Sequence, residues 1–232
     1  MLKAYYTNVS NLPVSGEGLP LSDYRIEKLS SCRNMQLRKQ YIGAELLLLW
    51  ALKQENYEPG RLSILCIPGG KPVLKDSPLF FSLSHSGSLA GCAISDRIVG
   101  MDLEREGRYH ESLLRRCFSP DEQRAIRESE NPDATFTFLW TGKESILKYH
   151  EKGIYDDMSL VHPLFPDPWL QLWRTYISGE DAGGKNDNSD GNDRKRGYYL
   201  SVCFDKTVTE FEHFSFVPPQ ALLDLCSKNE SE

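Results

Sequence analysis

The sequence predicts a mixed α+β fold, on three observations. Two long stretches, from Asn34 to Glu55 and from Asn131 onward, place apolar residues at helical steps of three and four. Eight short runs rich in branched and aromatic residues, each about a strand's length, separate them. Helix starts are marked by cap residues, and Gly, Pro, Ser and Asn clusters mark the loops.

Residues 1–7 form a strand, with Tyr5 and Tyr6 supplying β-propensity, and 8–21 form a loop. Ser22 caps a helix beginning at Asp23, on which Arg25 and Lys28 lie three apart. The helix over 34–55 buries Ile42, Leu46, Leu49 and Leu52 and carries Arg38 and Lys39 near its start. Residues 61–67 form a strand. Pro68-Gly69-Gly70-Lys71-Pro72 then forms a turn, where glycines admit a ligand close to the backbone and Lys71 is a point charge for phosphate. Turns often carry lysine, so that motif is weak alone. A strand over 79–84 leads into a loop with His85 between Ser84 and Ser86. Strands over 89–95 and 98–104 read as a hairpin about Asp96-Arg97, a poor pair for such a turn. The boundary between an N-terminal subdomain, 1–98, and a C-terminal one, 99–232, falls here.

A short helix over 110–117 follows. Ser119-Pro120-Asp121-Glu122 is a strong helix start, with Ser at the cap, Pro at the first position and Glu122 closing a capping box. Asn131-Pro132-Asp133 starts the next helix, whose stripe is Phe136, Leu139, Trp140, Ile146 and Leu147, with Gly153 placed to end it. Runs 169–177, 198–204 and 211–217 are strands. Residues 179–197 hold one Ala and nothing larger that is apolar, so a disordered loop is expected. Asp187-Asn188-Ser189-Asp190-Gly191 within it lacks the rest of a Ca²⁺ loop. The tail 227–232 is polar and expected to fray.

With 232 residues, 40% hydrophobic and 26% charged, the chain can fill one large or two small cores. It begins without a signal-like apolar stretch, and no apolar run nears the roughly 18–20 residues that span a bilayer. A soluble, cytoplasmic protein without a membrane partner is expected, and a monomer. A net charge of −6 argues against a general nucleic-acid binder. The halves differ: 11 Lys and Arg against 8 Asp and Glu in 1–98, but 16 against 25 in 99–232. Cysteines 32, 66, 92, 117, 203 and 226 form no C-x-x-C pair, which excludes the usual zinc and redox motifs and leaves buried free thiols.

The chemistry concentrates in Val99-Gly100-Met101-Asp102-Leu103-Glu104 and Phe138-Leu139-Trp140-Thr141-Gly142-Lys143-Glu144-Ser145-Ile146-Leu147-Lys148. On a strand Asp102 and Glu104 share a face; on a helix Trp140, Glu144 and Lys148 form a row. Three carboxylates converging on one point repel unless a hard cation lies between them, and oxygen ligands suit Mg²⁺. A lysine beside them points to an anionic substrate. Each motif alone is more often a solvated turn or an ion-paired amphipathic helix; their joint occurrence in this order favours a Mg²⁺–phosphate site.

These two stretches, with Phe81-Ser82-Leu83-Ser84-His85-Ser86 and Gly70-Lys71-Pro72, resemble the signature motifs of the 4′-phosphopantetheinyl transferases of the long, surfactin-synthetase-activating type. The likeness runs from about Arg25 to Glu151; Met101, where the family usually has Ile or Val, departs from it without touching an acidic position. The resemblance implies a pseudo-dimer of two similar α+β subdomains, each an antiparallel sheet on a long helix, with the site in the cleft between them. It implies transfer of the phosphopantetheine arm of coenzyme A to a serine of an apo acyl or peptidyl carrier protein, of a fatty acid, polyketide or non-ribosomal peptide synthase. Asp102, Glu104 and Glu144 would hold Mg²⁺. Lys148, Lys71, His85 and Ser84 would face the diphosphate. Arg25 and Lys28, then Arg38 and Lys39, would face the 3′-phosphate, and Glu122 would be the base. A Mg²⁺-dependent pyrophosphohydrolase and a non-catalytic carrier-binding module are the rival readings.

Overall fold

The computed structural model describes residues 1–57, 62–66, 71–107, 109–151, 158–182, 196–209 and 211–227. Expectations for Gly69, Gly70, Gly153, residues 187–191 and most of the 179–197 run and the tail lie outside them.

Four strong caps set helices where the sequence places them. Ser22 Oγ accepts from Arg25 N–H to open α1 (Asp23–Ser31), and Asn34 from Leu37 N–H to open α2 (Met35–Gln54). After α3 (Glu111–Cys117), the full Ser119–Glu122 capping box opens α4 (Pro120–Glu128), and Asn131 opens α5 (Pro132–Tyr149). α5 ends before Gly153; Glu151, at φ +57°, takes the left-handed conformation expected of that glycine. α6 (Pro219–Ser227) was not expected and packs its Leu222 with the α2 core.

The first sheet runs in the order β4 (Phe80–Ser86), β5 (Leu89–Ser95), β1 (Leu2–Asn8), β9 (Phe211–Phe216), and the second in the order β6 (Val99–Arg105), β8 (Tyr198–Asp205), β7 (Leu170–Ile177). Of the expected 61–67 strand, the described residues form β2 (Ile64–Leu65), which pairs with β3 (Val73–Leu74) in a two-stranded ribbon. All pairings are antiparallel except β1 with β9, so the first sheet is mixed. β9 and α6 thus return from the chain's second half to its first sheet.

β5 and β6 do not form the expected hairpin: they lie in different sheets. Asp96-Arg97 offers no residue suited to a primed turn, whereas Gly87-Ser88 does. Gly87, at φ +54°, closes the actual hairpin, in which Ser86 pairs with Leu89. That hairpin extends β4 through Ser86 and puts His85 inside a strand, not in a loop.

Strand alternation builds the layers. Cys92 and Ile94 of β5 join Tyr5, Phe81 and the α2 residues Ile42, Leu46, Leu47 and Leu52. Leu89 and Ala93 face the other way and meet Val99, Met101, Leu103, Leu200 and Val202 of the second sheet. Ile146 of α5 covers the far side, with Leu170 and Cys203. The order is helix, sheet, sheet, helix. Cys92, Cys117 and Cys203 are buried outside any disulfide, Cys32 is half-buried and Cys66 is exposed. Among the described residues no helix is long and apolar enough to cross a membrane.

Candidate active site

Val99, Met101 and Leu103 point into the core, so the alternate residues Gly100, Asp102 and Glu104 face α5. Gly100 makes the approach possible: a Cβ there would sit 2.0 Å from Ser145 O and 2.4 Å from Tyr149 N, both backbone atoms of α5. The helix therefore lies directly on the strand, and Glu144 and Lys148 come to Asp102.

Asp102, 3% exposed, is the centre. Its Oδ1 accepts from Lys148 Nζ at 2.7 Å and from Ser84 Oγ at 2.8 Å. Lys148 Nζ also reaches Ser84 Oγ at 3.2 Å. Glu104 Oε2 accepts from Ser86 Oγ at 2.6 Å. Asp102 Oδ2 and Glu144 Oε1 are buried with no hydrogen-bond partner. Burial, then the Asp102 charge, pushes the Glu104 and Glu144 carboxyls up to about 7. Burial alone would lower Lys148, but Asp102, its hydrogen bond and the two glutamates outweigh that and raise it. Partnerless carboxylate oxygens and mutual repulsion fit a hard cation held among them. Yet among the described residues no group of three His, Cys, Asp or Glu side chains already stands in a metal-holding arrangement.

From the first sheet, His85 projects to the α2 side, edge-on to Tyr41 at 5.4 Å between ring centroids. Burial, then the charges of Lys148 and Arg25, lowers it to about 4, so it is neutral at pH 7. Lys71 donates to Val99 O at 2.5 Å, and burial lowers it to about 8. The four basic residues of α1 and α2 separate. Arg25 is buried and paired with Glu45 at 3.0 Å, its guanidinium 5.1 Å from the Tyr41 ring. Lys28 is exposed, its ammonium 4.8 Å from the Tyr24 ring and 5.7 Å from Tyr41. Arg38 ties together Val14, Leu29 and Cys32 carbonyls, and Lys39 donates to Ser10 O. Glu122 turns to α5: its Oε2 accepts from Ser119 N–H at 2.9 Å and from the wholly buried Lys143 at 2.8 Å.

Sequence reasoning missed Ser86 and Tyr41 as parts of the site. Ser82, Ser84 and Ser86 alternate on one strand, a row of hydroxyls on one face that could have singled out Ser86. Nothing local marks Tyr41, which depends on α2 packing beside β4.

Residues 98–203 match the model of the 4′-phosphopantetheinyl transferase superfamily. That segment carries Asp102, Glu104, Glu122, Glu144 and Lys148, but not Arg25, Lys28, Lys71, Ser84 or His85. The chain is 30% identical to a 4′-phosphopantetheinyl transferase of Bacillus subtilis over 136 residues, 55% of this chain and 60% of that protein. It is 33% identical to the 4′-phosphopantetheinyl transferase Sfp of Bacillus subtilis strain 168 over 135 residues, 55% of this chain and 60% of that one. To the 4′-phosphopantetheinyl transferase HetI of Nostoc sp. strain PCC 7120 it is 41% identical over 106 residues, 42% and 45% of the two chains. The chain thus spans 60% or less of the length of these three relatives.

Proposed function

We propose that this chain is a 4′-phosphopantetheinyl transferase, moving the arm of coenzyme A to a serine of an apo carrier protein. The observation that carries the reading is the meeting of Asp102, Glu144 and Lys148 with Ser84, with two carboxylate oxygens left without partners. The superfamily match covers Asp102, Glu144 and Lys148 of this group. The α+β halves are read as a pseudo-dimer, with substrate in the cleft where β4 meets β6. That β4, α2 and α1 supply His85, Tyr41 and Arg25 while β6 and α5 supply the acids supports this.

Asp102, Glu104 and Glu144 would hold Mg²⁺, which supplies charge neutralisation to the diphosphate. The serine hydroxyl attacks the β-phosphorus, the bond to the bridging oxygen breaks, and 3′,5′-ADP leaves. Phosphoryl transfer depends mainly on alignment and charge stabilisation. Lys148 provides a cationic donor beside the carboxylates, Lys71 a second one near Lys148, and neutral His85 one N–H. Lys28 and Arg25, framed by Tyr24 and Tyr41, would take the 3′-phosphate. Glu122 is proposed as the serine's proton acceptor on the resemblance.

The test is incubation with coenzyme A, Mg²⁺ and apo carrier proteins from fatty acid, polyketide and peptide synthases, read by intact mass. One added phosphopantetheine on a carrier is expected. Cleavage of coenzyme A without any carrier gaining mass would point to a pyrophosphohydrolase instead; coenzyme A left intact under every condition would point to a binding module.

A further inference from the structure

β4 and β6 are edge strands of different sheets, and no ladder joins them. Three hydroxyls at alternate positions of β4 do the joining. Ser82 Oγ accepts from Met101 N–H at 2.9 Å, Ser84 Oγ donates to Asp102 Oδ1, and Ser86 Oγ donates to Glu104 Oε2 at 2.6 Å. Ser86 Oγ also accepts from Arg105 N–H at 3.0 Å. That backbone bond points the Ser86 proton at Glu104. Asp102 is held from two sides, by Ser84 and Lys148. Glu104 is half-buried at the strand's end, facing the like charges of Asp102 and Glu144.

We propose that Ser86 is the positioning residue for Glu104: its hydroxyl fixes one carboxylate oxygen and so presents the other to the cation site shared with Asp102 and Glu144. This rests on the reading that the three carboxylates hold a divalent cation. Ser86 acts through Glu104. Partners that orient metal ligands typically govern affinity by about 10- to 100-fold.

The test is Mn²⁺ binding to the full chain with coenzyme A present, followed by loss of the free-ion EPR signal, with thermal unfolding of each variant alongside. Asp102→Asn should abolish specific Mn²⁺ binding. Ser86→Ala should weaken it about 10- to 100-fold, and Ser86→Thr, which keeps the hydroxyl, should retain it. Ser82→Ala breaks the same row away from any carboxylate; it should lower the unfolding temperature and leave Mn²⁺ affinity unchanged. Wild-type affinity in Ser86→Ala overturns the proposal, as does an equal loss in Ser82→Ala, which would make the row merely structural. If wild type and Asp102→Asn bind Mn²⁺ alike, the cation reading itself fails, and this inference with it.

Discussion

Glu122→Gln tests the most consequential side chain of the second half. Glu122 is buried, and its carboxylate is shared between the cap N–H of Ser119 and Lys143, whose side chain is 0% exposed. Glutamine can close the capping box, so the helix start should survive. It cannot neutralise Lys143. Removing one partner of a buried pair typically costs about 3–5 kcal/mol, since the other charge is left uncompensated. Lys143 keeps the Met158 and Val161 carbonyls as acceptors and the Phe118 ring at 5.1 Å, which places the cost at the lower end. In a chain of this size about 3 kcal/mol corresponds to a fall of about 6–12 °C in unfolding temperature.

Circular dichroism should show that fall. Carrier modification, measured where both proteins are folded, should drop by at least about tenfold if Glu122 accepts the serine proton. An unchanged unfolding temperature would refute the argument that Lys143 depends on Glu122. Wild-type turnover would leave Glu122 a structural residue, holding α4 to α5. The double variant Glu122→Gln, Lys143→Met should regain stability over the single one, because no charge is then left buried alone.

Gly100→Ala should lower both the unfolding temperature and the transfer rate, because neither Ser145 O nor Tyr149 N can yield without α5 lifting from β6; a wild-type result in both measurements removes the close approach from the argument. Asp102→Ala should abolish transfer, while Glu104→Ala should cost less, since water can replace a cation ligand; full activity in Asp102→Ala at sub-millimolar Mg²⁺ defeats the site. His85 has a folded-state pKa of about 4, below its ordinary value of 6.5, so the folded protein binds its proton less readily than the unfolded chain. Its contribution is intact above about pH 6.5 and is lost as pH falls toward 4. The urea midpoint of wild type should therefore decline over that window more steeply than that of His85→Gln, and parallel curves would show His85 to be solvated.

What could be read from the sequence was what local chemistry decides. Ser22, Asn34, Ser119 and Asn131 fix helix starts within a turn of chain, and all four caps form. The i, i+2 placement of Asp102 and Glu104 and the i, i+4 placement of Glu144 and Lys148 follow from backbone geometry alone. The partners of strands did not follow. β5 and β6 are adjacent in sequence, yet β5 pairs with β4 before it and the distant β1, and β6 with the distant β8. Counter-ions were equally hidden: Glu45 for Arg25 and Lys143 for Glu122 depend on helix packing, which no spacing rule announces. Arg38 shows the same limit, since a lysine or arginine near a helix start reads alike whether it meets a ligand or three carbonyls.

An unpaired edge strand normally invites association with another chain. Here two such edges meet, and serine hydroxyls stand in for the ladder, because β4 and β6 belong to sheets that must also cover one another through Leu89, Ala93, Met101 and Leu103. Had the edges paired, the β6 backbone would be satisfied and its side chains turned away from β4. Left open, the seam admits Lys148 from α5 and keeps Asp102 nearly dry. Charges in such a place interact more strongly than in water, for repulsion as well as attraction. The same arrangement that raises Glu104 and Glu144 toward neutrality therefore makes a cation, or the charge of a reacting phosphate beside Lys148, count for more than it would on the surface. The seam between the sheets is both what holds the halves together and what gives the carboxylates their chemistry.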